Sequence, residues 1–218
     1  IMHGGKVLWM IDNLHAEMDS LYKTNQYIAF DRGLHIEDIL FKYGVRINTN
    51  LVQDMQSDKI PMVVGLLGSQ PQTQILRWPY FPLLQGNSNS PITKNLDPIL
   101  SIFANAIDTV AAPGIQKTIL LSTSANGRII NTPAIVSFES LKIANDPNAF
   151  NKPNIPVAVL LEGKFNSLFA HQLTAAQQDS LAFLMRKPFA TSSTPNKMIV
   201  VADGDVMLNF VTQTEGPL

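Results

Sequence analysis

The sequence contains no cysteine. That excludes disulfides, thiolate metal sites and cysteine nucleophiles together. Charge is scarce as well. Asp, Glu, Lys and Arg make up 15% of the residues and nearly cancel, leaving a net charge of −1. Such a balance gives neither nucleic acid nor an anionic membrane an overall electrostatic reason to bind. No apolar run approaches the roughly 18–20 residues that a membrane-spanning helix needs. The clean apolar runs, residues 157–161 with their flanks among them, are of strand length. No secretory leader opens the chain, which enters strand-like sequence almost at once and reads as an excised or mature piece of something longer.

The motifs of familiar chemistry are missing too. There is no G-x-S-x-G elbow, and neither Ser69 nor Ser124, each following a strand-like run, has a base identifiable by spacing. Gly4-Gly5-Lys6 is too short for a phosphate loop and precedes a strand-like run, not a helix. After the first strand a dinucleotide site requires G-x-G-x-x-G, where this chain has D-N-L-H-A-E. The four histidines, His3, His15, His35 and His171, stand at no spacing that presents two imidazoles to one metal. No catalytic residue, metal site or cofactor is therefore assigned.

What is present is a pattern of short apolar runs. Residues 6–12 form one that ends in Asp12-Asn13, as a buried strand does where it meets a loop. Ile36, Ile39, Leu40 and Tyr43 follow at helical spacing, Gly44 sits where a helix ends, and Val45 restarts an extended chain. Strand, helix and strand over residues 4–54 predict a βαβ unit, and with it a parallel pair in an α/β sheet. The connection 13–33, about twenty residues, is long for a βα loop and marks a place to look for a partner. Further strands are predicted at 61–68, 117–122, 157–161 and 198–202, with an extended segment at 100–110. The capping-box spacing Thr174-Ala-Ala-Gln177 opens a helix to about Arg186. Residues 190–196 read as a flexible linker, and a short helix is predicted from Val206.

The middle of the chain differs from the rest. Residues 61–138 hold two acids, Asp97 and Asp108, and four bases, Arg77, Lys94, Lys117 and Arg128. Their polarity comes from Gln and Asn instead, and prolines at 71, 79, 82, 91 and 98 favour extended pieces over helices. The proline- and amide-rich subregion 69–98 suits protein contact better than ion binding. Within it Arg77, Trp78, Tyr80 and Phe81 are residue types favoured as interface anchors, and equally types that fill a strand core. Two strand ends carry acids: Asp12-Asn13, and Asp203-Gly204-Asp205. Together with His15 these form a candidate ligand or partner crevice, since open α/β sheets bind ligands at the carboxyl ends of their strands. The competing reading is that the aspartates cap the turns that follow them.

The segments G-G-K-V-L-W-M-I-D, Y-G-V-R-I with L-V-Q-D, P-I-T-K-N-L, K-T-I-L-L-S-T-S, V-L-L-E-G-K-F-N-S-L-F and I-V-V-A-D-G-D occur in that order through nearly the whole chain. In them the sequence resembles the extracytoplasmic region of the GldG-type auxiliary protein of the gliding-motility ABC transport system of Bacteroidetes. The resemblance implies one α/β domain over residues 1–218, with a flavodoxin-like or class I glutamine-amidotransferase-like layered sheet and a β-rich middle section. It implies a periplasmic location at the inner membrane, with membrane anchors outside this segment. The implied partners are an ABC permease and a cytoplasmic ATPase, reached through the full-length protein, and a homo-oligomer is compatible with it. Amidotransferases need a cysteine nucleophile, which this chain lacks, so the resemblance implies a non-catalytic domain. A hydrolase or metal-dependent enzyme at the strand-end carboxylates, or a small-ligand or glycan-binding module, are the alternatives.

Overall fold

A computed structural model describes residues 1–208, 211–212 and 216–217. In chain order the elements are β1 (Val7–Met10), β2 (Leu14–His15), α1 (Met18–Thr24), β3 (Gln26–Asp31), α2 (Glu37–Lys42), β4 (Val45–Ile47) and β5 (Asn50–Asp54). The long strands β6 (Ser57–Leu67) and β7 (Gln70–Gly86) follow, then β8 (Ile99–Leu100), β9 (Ile107–Thr109), β10 (Ile115–Ser122), β11 (Gly127–Asn131) and β12 (Ala134–Ser137). The last part contains β13 (Pro156–Gly163), α3 (Ala175–Met185), β14 (Asn196–Val201), a 3-10 turn Asp205–Met207, and the short β15 (Val211–Thr212) and β16 (Gly216–Pro217).

Seven strands make the principal sheet, in the order β1-β14-β13-β10-β7-β6, with β8 added on β7. Only β1 and β14 run parallel; every other pairing in this sheet is antiparallel. The sheet is mixed and curls into half a barrel, with few helices. At its centre is β13, where Val157 to Leu161 are all buried. Val159 and Leu161 pack into the core cluster with Leu40, Tyr43 and Met198. Ala158 and Leu160 pack into another with Val52, Leu84 and Leu120. A strand covered on both faces reads as an unbroken apolar run, which is why this one was the clearest in the sequence.

The expected flavodoxin-like or amidotransferase-like α/β architecture is overturned by this topology. The local pieces of the βαβ reading do form: α2 buries Leu40, and Gly44 has φ +96. A Cβ on Gly44 would lie 2.5 Å from Lys117 Cε and 3.1 Å from the Ala112 Cβ, so glycine is required there on both counts. The pairing is what differs. β4 joins β9, β5 joins β11, and β1 finds its parallel neighbour in β14 at the other end of the chain. A six-residue helix is about 9 Å long and does not span the crossover that a parallel neighbour needs. Residues 13–33 are not an open loop: they fold as β2, α1 and β3, and β3 pairs with β12. Nor are residues 190–196 a free linker, because buried Ser193 exchanges hydrogen bonds with the Phe165 backbone at 2.8 and 2.9 Å. The helix at α3 forms with its Thr174–Gln177 capping box complete, and a 3-10 turn stands where the last short helix was expected.

Candidate functional site

Because β1 and β14 are parallel neighbours, Asp12 and Asp203 emerge at the same end of the sheet. Both carboxylates turn back onto the chain. Asp12 Oδ1 accepts the Gly204 N–H at 2.6 Å. Asp203 is fully buried; its Oδ1 accepts the Asp205 N–H at 2.7 Å, and its Oδ2 accepts the Ile102 N–H at 2.8 Å and the Ser101 hydroxyl. Burial pushes the Asp203 carboxyl up to about 6; its hydrogen bonds oppose this, and the charge of Asp12 adds to it. Burial, then the Asp12 charge, also raises Asp205. A Cβ on Gly204 would lie 2.6 Å from Asp12 Oδ2, so a larger residue there would push the Asp12 carboxylate aside.

Asn105, which the sequence did not single out, holds this end together. It is buried, and its Oδ1 accepts the Asn13 N–H at 3.1 Å. Its Nδ2 donates to the Asn50 carbonyl at 2.6 Å, and its own N–H donates to the Ala202 carbonyl at 2.9 Å. The side chain therefore ties the end of β1 to the start of β5, and the backbone of the same residue holds the end of β14. An Asn in a stretch of neutral residues gives no local sign of this role, because its three partners lie far away in sequence.

The arrangement suits locking a chain terminus better than moving protons. Asp12 Oδ1 and both Asp203 oxygens already accept backbone N–H groups, and Asp203 is buried away from solutes. Among the described residues no group of three or more His, Cys, Asp or Glu could hold a metal ion. His15 lies apart from the acids, exposed on β2 with its ring 4.7 Å from that of Phe30.

Of the proposed crevice residues, Asn13, His15 and Asp205 border open space, in three separate depressions. A groove of about 450 Å³ runs between α2 and β4, lined by Asn13, Ile36, Glu37, Asp38, Leu40, Phe41, Arg46, Ile47, Asn48 and Thr49. Its floor is apolar and its rim carries acids, amides and one guanidinium. Arg46 is paired across β4 and β9 with Asp108 at 2.6 Å, a bond that holds the Asp108 carboxyl below its usual range. Phe41 is exposed at the edge of the groove.

The aromatic segment divides. Trp78 and Tyr80 are buried, at 0% and 1% exposure, in the core with Leu51 and Phe103, which corrects their reading as interface anchors. Phe81 is half-buried and packs edge-on against Phe103 at 5.8 Å between centroids. Arg77 is exposed and donates to the Met55 carbonyl at 3.3 Å.

No curated protein and no solved structure matches the chain. Among the described residues, no helix is long and apolar enough to cross a membrane. Residues 1–216 match the sequence model of a family described as an ABC-type uncharacterized transport system, auxiliary. The chain belongs to that family and is an auxiliary component of an ABC-type transport system.

Proposed function

We propose that the chain is a non-catalytic, extracytoplasmic binding domain of its transporter, on the periplasmic side of the inner membrane, in a system of the gliding-motility type. Its partner would be the permease or a transported solute, held in the groove between α2 and β4. The observation that carries this reading is the contrast at the sheet end. Asp12 Oδ1 and both Asp203 oxygens are closed onto backbone amides, whereas the adjoining groove is open, largely apolar, and bordered by Asn13, Phe41 and Arg46. A concave, mostly apolar site with a few polar groups suits binding. The ordered series of segments shared with the gliding-motility auxiliary protein supports the finer assignment. An elevated carboxyl such as Asp203 elsewhere marks a catalytic acid. Here its burial and three donors within the chain give it a structural task.

The test is affinity capture from membranes of the source bacterium with the chain as bait, comparing the native sequence with Phe41→Ala and Arg46→Ala. Recovery of permease or ATPase subunits, reduced severalfold by Phe41→Ala, is the expected result. Capture of neither subunit, or capture by both variants equal to that by the native sequence, would sink the groove as the binding site.

A further inference from the structure

The β6–β7 hairpin changes character part-way along. Ser57 faces Pro82 while Lys59 faces Arg77, so residues 78–81 of β7 stand opposite Asp58 alone. That bulge carries Trp78 and Tyr80 into the core, and Ile60 is the last buried residue of β6. Beyond it the two strands pair only with each other, as far as the turn at Gly68-Ser69.

Directly opposed residues in a ladder point to the same face. Met62 with Gln74, Gly65 with Gln72, and Leu67 with Gln70 give one face a row of amides. Pro61 with Ile75, Val63 with Thr73, and Leu66 with Pro71 give the other face apolar groups and one threonine. Those apolar side chains cover nothing: Val63, Leu66 and Ile75 are 60%, 71% and 69% exposed. From 60 to 76 there is no charged residue, and the next pair on the apolar face, at the root of the ribbon, is Lys59 with Arg77. Two cations directly opposed across a ladder repel each other, so their placement is explained by an anionic neighbour.

The ribbon's edges are unsuited to adding a strand from a second copy. Pro61 and Pro71 lack a donor, and the register slips between Val63 and Gly65. A second copy laid face to face brings no acid from its own ribbon to the cations, since 59–77 contains none. An apolar face, cations at its root and neutral amides behind are instead what an element lying in a bilayer interface presents. We propose that the β6–β7 ribbon seats its Val63, Leu66 and Ile75 face in the surface of an anionic bilayer, with Lys59 and Arg77 meeting lipid phosphates. The net charge of −1 does not oppose this, because headgroup attraction acts within about a Debye length, roughly 8–10 Å, on a local pair. The inference is independent of the groove beside α2.

The test is flotation of the 218-residue chain with vesicles of phosphatidylglycerol and phosphatidylcholine in equal parts, and with phosphatidylcholine alone. Binding to the mixed vesicles is expected, falling steeply with salt and weak on phosphatidylcholine. The triple variant Val63→Ser, Leu66→Gln, Ile75→Thr is expected to lower binding by roughly tenfold or more. Lys59→Gln with Arg77→Gln is expected to lower it severalfold and remove its salt dependence. Circular dichroism establishes that each variant is folded, with Leu66→Gln alone as the milder substitute. Three results would each overturn the proposal. One is no flotation with mixed vesicles. Another is binding lost by Phe183→Gln on α3 but kept by the ribbon variants. The third is a dimer in sedimentation that Leu66→Gln dissolves.

Discussion

The strand β13 and the outer half of the β6–β7 ribbon are both runs of apolar residues with short interruptions, and they end in opposite places. β13 lies between β10 and β14, and its side chains are buried on both faces. Among the described residues, the ribbon's outer half has one neighbour, the other strand of its own hairpin, and no layer over its apolar face. Apolar content therefore does not say whether a strand is core; the number of neighbours does. A two-stranded ribbon is marginal by itself in water, so the outer half depends on its anchored root at Trp78 and Tyr80.

Substituting one leucine in each region gives the largest contrast. Leu161→Ala in β13 is expected to destabilise the fold by about 3 kcal/mol, whereas Leu66→Ala in the ribbon shifts stability by less than about 0.5 kcal/mol. Urea unfolding of the two variants measures both; equal losses would mean that the ribbon is packed against something.

The second prediction concerns the buried end of β14. A carboxyl raised from 3.8 to about 6 binds its proton more tightly in the folded state. Its contribution to stability is full below about pH 4 and is lost as pH rises to about 6, by up to about 3 kcal/mol. Asp203→Asn should be less stable by about 2 kcal/mol, because an NH2 group replaces an acceptor facing buried donors. It should also lack that pH-dependent loss. Thermal midpoints of both proteins across this window decide the matter, and parallel pH profiles would contradict the assignment.

The smallest effect is at the root of the ribbon. Arg77→Gln removes a like-charge cross-strand pair and gives up one long hydrogen bond to the Met55 carbonyl. Stability is expected to stay level or rise by about 0.5 kcal/mol, although vesicle binding weakens. A variant that loses stability and vesicle binding together would instead make Arg77 a structural residue.

Much of the strand inventory was legible in the chain. The runs at 117–122 and 157–161 are strands in the structure, 198–202 is one as far as Val201, and the capping box of α3 forms, because these signals depend on neighbours in sequence. Gly44 was legible for the same reason. The capping alternative was legible for Asp203, whose Oδ1 accepts the Asp205 N–H of the turn that follows it, but Asp12 accepts the N–H of Gly204, far away in the sequence. What was not legible was who pairs with whom. β4 pairs with β9 and not with β1, β5 pairs with β11, and all but one pairing of the principal sheet is antiparallel, so the α/β reading failed. Asn105 and the ribbon's apolar face were hidden for a related reason. The first works through Asn13, Asn50 and Ala202, and the second becomes a face only when Pro61, Val63 and Leu66 are set opposite Ile75, Thr73 and Pro71.

By itself the sequence determined that the chain holds no cysteine, no phosphate-loop pattern and no G-x-S-x-G elbow, and where most strands and one capped helix lie. It did so because each of these follows from residue identity or from contacts within a few positions. Only the tertiary structure decided that the strand-end acids close onto amides 2.6–2.8 Å away, that the groove opens beside Asn13, and that an apolar ribbon stands uncovered. Those depend on pairings between residues as distant as Val7 and Met198. Such pairings are selected by the burial of whole faces, and no local stretch of the chain encodes which face will meet which.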